Sequence, residues 1–197
     1  ARTDHCEHAV KVSTATPVLE AGLFDAHEKA EALLADSLSH TILRPSLYAQ
    51  TVFGEHGPLG LPSGAGDGQH VLADAPVAYI SAVDVAAVAG RVLVSDDVSR
   101  NARKLDLTGP AATTISEVVS KAGGVVEPCT STLPADFLRV LASDLATVSG
   151  DAEMALGESP TAASDYFMRE LRRRALDCGL NGEIAYNGRA VYTANYR

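Results

Sequence analysis

The sequence of 197 residues contains few cysteines, no tryptophan and no long apolar run. Its three cysteines are far apart and form no Cys-x-x-Cys pair (Cys6, Cys129, Cys178). That pattern favours reduced thiols over a disulfide framework. No apolar run approaches the roughly 20 residues that cross a bilayer, and the first residues contain no signal-peptide hydrophobic stretch. We therefore expect a cytoplasmic protein without a membrane partner.

Positive charge is also scarce. Sixteen Lys and Arg residues stand against twenty-five Asp and Glu residues, which gives a formal net charge of −9. A field of that sign repels phosphate backbones, so we expect no nucleic-acid partner. Apolar residues make up 46% of the chain, which is enough for a packed core and argues against wholesale disorder.

One short cluster contains residues that could bind a metal. His5, Cys6 and His8 lie close together, but their spacing matches no common zinc pattern and the sequence offers no second ligand pair. We expect no metal site here and interpret the cluster as a loop that leads into a strand.

The first 45 residues carry the pattern of a strand, a helix and a second strand. Ala9–Ser13 is rich in β-branched residues, apolar residues recur at helical spacing over Phe24–Ala35, and Thr41–Arg44 is a second β-prone run stopped by Pro45. A strand, helix and strand of this length form a βαβ unit, so the two strands should be parallel.

The pattern continues as an alternation of short strands and helices. The predicted elements are strands over 77–80, 104–107 and 124–127, and helices over 82–93, 114–122, 134–148 and 165–176. Asp84 is predicted to cap the first of these helices. Thr113 or Thr114 is predicted to cap the helix over 114–122, with Glu117 placed for a capping box. The sequence therefore predicts an α/β protein.

Three stretches predict loops or turns. The glycine-rich stretch 54–74 predicts a mobile loop because no strand precedes it and no helix follows at once. The polar stretch 150–164 predicts a linker. Asn187-Gly188 lies between two β-prone runs and predicts a two-residue hairpin turn.

Four segments, in order, resemble the NmrA-like family of atypical short-chain dehydrogenases/reductases. They are His8-Ala-Val-Lys-Val-Ser-Thr14, His27-Glu-Lys-Ala-Glu31 followed by Thr41-Ile-Leu-Arg-Pro45, Val83-Asp-Val-Ala-Ala-Val-Ala89, and Leu105-Asp-Leu-Thr-Gly-Pro110. The resemblance covers roughly residues 8 to 141. It implies a partial Rossmann-like, doubly wound parallel sheet with a small α/β C-terminal substrate subdomain.

The resemblance also implies which part of the family's chain is present. The family's glycine-rich turn, which holds the pyrophosphate of a dinucleotide at a helix N-terminus, follows no strand of this sequence. We expect only the family's C-terminal portion here, with residues 1–53 from the Rossmann-like NAD(P)-binding domain. Residues 54–149 would then form the substrate-side α/β region, and 150–197 an extra helix and β-hairpin tail.

The same resemblance suggests functional residues. It places Leu23 where the wider group has its catalytic Tyr, and His27 where that group has its Lys. His27 is the candidate catalytic residue, and Ser13, His27 and Pro45 are candidates for binding the cofactor, NADP or NAD. Tyr48 is the candidate for substrate binding. We expect Ser13, His27 and Tyr48 to line one pocket at the carboxyl ends of the strands.

Each of these residues also has a purely structural interpretation. His27 fits a core histidine with satisfied hydrogen bonds, Ser13 an ordinary strand terminator, and Tyr48 a core tyrosine. Glu31, one helical turn from His27, fits a structural cap or an ion-pair partner better than a general base.

Two classes of function stay open. The first is an NAD(P)H-dependent oxidoreductase that reduces a small molecule, such as a quinone or a similar carbonyl. The second is a non-catalytic NAD(P)-sensing regulator or a degenerate interaction module, which Leu23 favours because leucine transfers no proton. The strand over 8–13 should be an interior strand, yet the neighbours that flank it would belong to the absent portion. We therefore expect self-association or a partner chain.

Overall fold

The computed structural model describes eight stretches of the chain. They are residues 7–15, 23–35, 39–54, 75–95, 102–121, 145–177, 183–186 and 189–193. The predicted loop over 55–74, the predicted strand over 124–127 and most of the predicted helix over 134–148 lie outside these stretches. None of the described helices is long and apolar enough to cross a bilayer.

A parallel sheet of three strands forms the centre of the fold. Strands β1 (Ala9–Val12), β2 (His40–Pro45) and β3 (Arg103–Leu107) lie in the order β1-β2-β3. Val12 is in register with Leu43, and Leu43 with Leu105. Helix α1 (Leu23–Ala35) connects β1 to β2. The predicted parallel βαβ unit is therefore confirmed.

Five more helices and a hairpin complete the described structure. The helices are α2 (Ala49–Phe53), α3 (Ala82–Val94), α4 (Ile115–Lys121), α5 (Asp151–Leu156) and α6 (Ala163–Asp177). Strands β4 (Glu183–Tyr186) and β5 (Arg189–Thr193) pair in antiparallel orientation. This confirms the predicted hairpin pairing, while the turn predicted at Asn187-Gly188 lies outside the described residues.

Two hydrophobic cores hold these elements together. One lies on the face of the sheet that α3 and α5 cover, and its fully buried members include Leu43, Val88 and Leu107. The other is built by α2, α4 and α6, and in it the rings of Phe53 and Tyr79 meet edge to face with centroids 5.2 Å apart. Because α5 and α6 each enter a core, residues 151–171 pack with the rest of the protein. The division into three domains stays a prediction.

Two predicted elements differ from the structure. The stretch 77–80 is not a strand: it makes isolated bridges from Ile80 to Tyr48 and from Val77 to Thr113. Its residues are buried because they run between the two cores. A short apolar sequence has the same pattern in a buried connection as in a strand, so the sequence alone does not distinguish the two. The predicted linker over 150–164 contains helix α5. This helix is stabilised because Ala152 and Leu156 are buried in the core that α3 and α5 form against the sheet.

The predicted cap of α3 is also wrong. The cap is Ser81, whose Oγ accepts a hydrogen bond from the backbone N–H of Val83 at 3.2 Å. Asp84 lies in the first turn, and its carboxylate accepts two hydrogen bonds from Thr161 instead: one from the backbone N–H at 2.7 Å and one from Oγ1 at 3.2 Å. Asp84 therefore holds the connection between α5 and α6 against α3.

The capping box of α4 is confirmed. The backbone N–H of Thr114 donates to Glu117 Oε2 at 2.9 Å, and the backbone N–H of Glu117 donates to Thr114 Oγ1 at 3.1 Å. The two residues thus satisfy each other's backbone donors where the helix begins, as the motif requires.

We expect Thr114→Ala to lower the free energy of unfolding by about 1 kcal/mol, because the N-terminal turn of α4 loses the side-chain acceptor that satisfies it. Chemical denaturation measures the change. Thr113→Val is the matched control, since the buried Oγ1 of Thr113 has no hydrogen-bond partner. An equal loss in both variants would contradict the role of the box.

Candidate functional site

The carboxyl ends of β1 and β2 lie side by side at one edge of the sheet. The pairing of the strands continues past their ends, because the N–H of Ser13 donates to the carbonyl of Leu43 at 2.7 Å and that of Ala15 to the carbonyl of Pro45 at 2.9 Å. Ser46, next along the chain, donates to the carbonyl of Leu107 at 2.8 Å. Ligands of open α/β sheets bind at this edge.

Helix α1 covers the face of the sheet opposite to α3. Side chains alternate between the faces along each strand, and Ser13, Arg44 and Lys104 all contact Glu31 of α1. Lys11, two residues before Ser13, lies on the same face and contacts His27 of α1. The interface between α1 and the sheet is therefore polar.

Glu31 is the centre of this polar interface. Its side chain is 6% exposed. Its carboxylate accepts hydrogen bonds from Ser13 Oγ at 2.5 Å and from Arg44 Nη2 at 2.6 Å, and it lies 3.3 Å from Lys104 Nζ. Burial by itself raises the pKa of Glu31, but the hydrogen bonds and charges of these partners outweigh it and lower the pKa to about 2. The predicted role of Glu31 as an ion-pair partner is confirmed.

Ser13 is oriented by that carboxylate. Its side chain is buried, and an ionised carboxylate only accepts hydrogen bonds, so the Ser13 hydroxyl proton points to Glu31. The lone pairs of Oγ remain to accept a hydrogen bond from another group. As a ligand-binding residue, Ser13 would act as an acceptor.

His27 lies toward the sheet, as expected from its position on the inner side of α1. The side chain is half-buried, and its Nδ1 is 3.2 Å from Lys11 Nζ. His27 and Glu31 lie one turn apart on α1, so His27 and Ser13 belong to one polar interface. The catalytic and cofactor-binding roles of His27 stay predictions.

Tyr48 lies on the other side of the sheet. It forms a bridge to Ile80 and packs against the core that includes Leu43 and Val88, and burial raises the pKa of its phenol. The structure thus brings Ser13 and His27 together at one interface and places Tyr48 at the other. A pocket shared by all three stays a prediction, as does the substrate-binding role of Tyr48.

Pro45 ends β2 between these two groups. It is buried, and its carbonyl is engaged by the N–H of Ala15. The backbone of Pro45 therefore stabilises the sheet edge, and its cofactor-binding role is untested.

The sequence interpretation missed Ser46. Its side chain is 4% exposed, and its Oγ makes no hydrogen bond. A buried hydroxyl without a partner lowers the stability of the folded protein by about 1 to 3 kcal/mol. Such groups are therefore rare in folded proteins. The position of Ser46 directly after Pro45, at the carboxyl end of the middle strand, is the sequence feature that could have identified it as a candidate site residue.

The described residues contain no cluster of three or more His, Cys, Asp or Glu side chains that could hold a metal ion. His5 and Cys6 lie outside the described stretches. The ring of His8 lies within hydrogen-bond distance of two hydroxyls, with Nδ1 2.8 Å from Ser39 Oγ and Nε2 3.0 Å from Thr41 Oγ1. These contacts give His8 a structural role at the amino end of β1.

Comparisons with known proteins agree on the fold. No protein-family model matches the sequence, and no curated protein does. A nucleoside-diphosphate-sugar epimerase from Staphylococcus aureus superposes with a TM-score of 0.61 at 14% identity, over 82% of this chain and 64% of its own. An NADPH-dependent quinone oxidoreductase from Escherichia coli gives 0.60 at 22% identity, over 84% and 68%. A triphenylmethane reductase from a Citrobacter species, complexed with NADP(H), gives 0.61 at 18% identity, over 83% and 65%.

These similarities establish a Rossmann-like α/β fold. The chain spans about two thirds of the length of these structures: 64% of the epimerase, 65% of the triphenylmethane reductase and 68% of the quinone oxidoreductase. The sequence identities are too low to carry an activity or a family, so membership of the NmrA-like family and the expected absence of its N-terminal part stay predictions.

We expect the protein to lose stability as the pH falls from about 4.5 to about 2, partly through Glu31. The pKa of Glu31 in the folded protein is about 2, against 4.5 for a free glutamate. A lowered pKa means that the stabilisation is complete above the unfolded value and is lost as the pH falls through the folded one. Urea denaturation of Glu31→Gln should give a shallower slope in this range and a stability lower by about 3 kcal/mol at pH 7.

The control for this prediction is Glu28→Gln, which removes an exposed carboxylate from the same helix. It should leave both the slope and the stability at pH 7 nearly unchanged. Parallel pH profiles for Glu31→Gln and the unmodified protein would disprove the assignment.

Proposed function

We propose that this protein is an NAD(P)H-dependent oxidoreductase of the NmrA-like type, acting on a quinone or a similar carbonyl. Three lines of support converge. The fold is that of a Rossmann-like enzyme, solved structures with this fold include a quinone oxidoreductase described as NADPH-dependent, and the sequence segments that resemble the family provide β1, α1, β2 and α3.

The observation that carries the proposal is the unpaired hydroxyl of Ser46 at the carboxyl edge of the sheet. A nicotinamide carboxamide offers both an N–H donor and a carbonyl acceptor, and a ribose offers hydroxyls. Ser46 can donate to such a group, and Ser13, whose proton is engaged by Glu31, can accept from one. The residues present therefore fit the nicotinamide half of the cofactor.

The protein's own residues would bind and orient the reactants. A reduced nicotinamide supplies a hydride when it is bound, and a quinone that takes up one hydride and one proton becomes a hydroquinone. Leu23 cannot transfer that proton, so another donor, such as water, would supply it. His27 would hydrogen-bond the substrate oxygen and stabilise the negative charge that develops there.

The second candidate function is a non-catalytic NAD(P)-sensing regulator or interaction module. The specific observation in its favour is Leu23, because the acid of the standard mechanism is absent from that position. Such a protein would bind the nicotinamide cofactor without turning it over.

Binding and turnover distinguish the two functions. The change in NADPH emission on titration reports binding. Reduced nicotinamide mononucleotide should be titrated in parallel, because it needs no pyrophosphate turn. Binding with quinone-dependent loss of NADPH absorbance supports the oxidoreductase, and binding alone supports the sensor. Failure of both ligands to bind would rule out both.

We expect Ser46→Ala to weaken binding of reduced nicotinamide mononucleotide about five- to tenfold, because the bound ligand loses a hydrogen bond worth about 1 to 1.4 kcal/mol. The stability of the free protein should not fall, since the hydroxyl has no partner there. Isothermal titration and thermal denaturation measure the two effects. Thr113→Val, which removes another buried unpaired hydroxyl among the described residues, is the control and should leave binding unchanged.

A further inference from the structure

Lys11 makes an unusual set of contacts for a half-buried lysine. Its ammonium donates to the carbonyl of Val12 at 3.3 Å and lies 3.2 Å from His27 Nδ1. Within the described part of the chain it forms no ion pair. The nearby carboxylate of Glu31 is engaged by Arg44 and Lys104 instead. Charge pairing among the described residues therefore does not account for the lysine, and the side chain that its ammonium contacts is His27.

The chemistry of the contact fixes the proton on the histidine. A lysine ammonium has three N–H donors and no acceptor, so Nδ1 of His27 must accept the hydrogen bond and carries no proton. In a neutral imidazole the proton is then on Nε2. The described residues provide no hydrogen-bond partner for Nε2.

We propose that Lys11 is a positioning residue that holds His27 in the neutral tautomer protonated at Nε2, so that the ring presents a hydrogen-bond donor. The two-residue spacing of Lys11 and Ser13 puts both on the face of the sheet that α1 covers. His27 and Glu31, one turn apart on α1, meet them there.

The pair of contacts gives the interface two complementary groups. The Ser13 hydroxyl donates its hydrogen bond to Glu31, so Ser13 Oγ can only accept from another group. Lys11 donates to Nδ1 of His27, so the Nε2–H of His27 can donate to another group. That the donor serves a bound substrate rests on the proposed function. The tautomer itself does not, because it follows from contacts within the protein.

Nitrogen-15 NMR of the ligand-free protein at neutral pH tests the proposal. Long-range correlations between ring protons and ring nitrogens separate a protonated from an unprotonated nitrogen, and His27→Gln assigns the His27 signals among the six histidines. We expect the neutral His27 ring to carry its proton on Nε2, with Nδ1 unprotonated. A measurement without cofactor keeps this result independent of whether NADPH binds.

Variants of Lys11 test whether this residue sets the tautomer of His27. In Lys11→Met we expect the form protonated at Nδ1 to become a measurable minor population and the Nδ1 resonance to move, because its hydrogen bond is lost. Lys11→Arg, which keeps a cationic donor, should restore the original signals. Lys29→Met, which removes an exposed lysine of the same helix, should change nothing.

Two results would overturn the proposal. One is a neutral His27 ring in the unmodified protein that carries its proton on Nδ1. The other is an unchanged Nδ1 resonance in Lys11→Met. If Lys11→Met does not fold, the unmodified protein and Lys11→Arg still decide between the outcomes.

Discussion

The buried carboxylate of Glu31 is the contact on which the sheet and the candidate site both depend. It connects α1 to all three strands of the sheet at once: to the end of β1 through Ser13, to β2 through Arg44 and to β3 through Lys104. Burying an ion is costly, and only several well-placed partners offset the cost. Here a hydroxyl and two cations surround it, so removing any one of them leaves charge that is less well compensated.

This arrangement makes structure and chemistry inseparable at the interface between α1 and the sheet. A hydrophobic interface would hold α1 as firmly but would leave the direction of the Ser13 hydroxyl open. The carboxylate sets that direction, and it remains ionised at any pH near neutrality because its pKa is about 2. The same contacts that hold the helix in place therefore fix the direction of a hydroxyl at the sheet edge.

The sequence predicted those parts of the fold that depend on local signals. The βαβ unit follows from periodicity, the capping box from the spacing of Thr114 and Glu117, and the hairpin from Asn-Gly. It did not predict the role of Asp84, because an acidic residue in a first turn resembles a cap whether or not a distant Thr161 engages it. Ser46 was missed for the same reason: a lack of partners is a property of the folded environment. Of the polar interface of α1, the sequence predicted the ion-pair role of Glu31 and the inward position of His27.

The contact between Asp84 and Thr161 joins positions 77 residues apart. At a synthesis rate of roughly 5 to 20 residues per second, Asp84 leaves the ribosome about 4 to 15 s before Thr161 does. During that interval Val88 also lacks the apolar cover that Ala152 and Leu156 later supply in the same core. The nascent chain thus exposes an apolar helix face for seconds, and chaperones that bind such faces have their opportunity then.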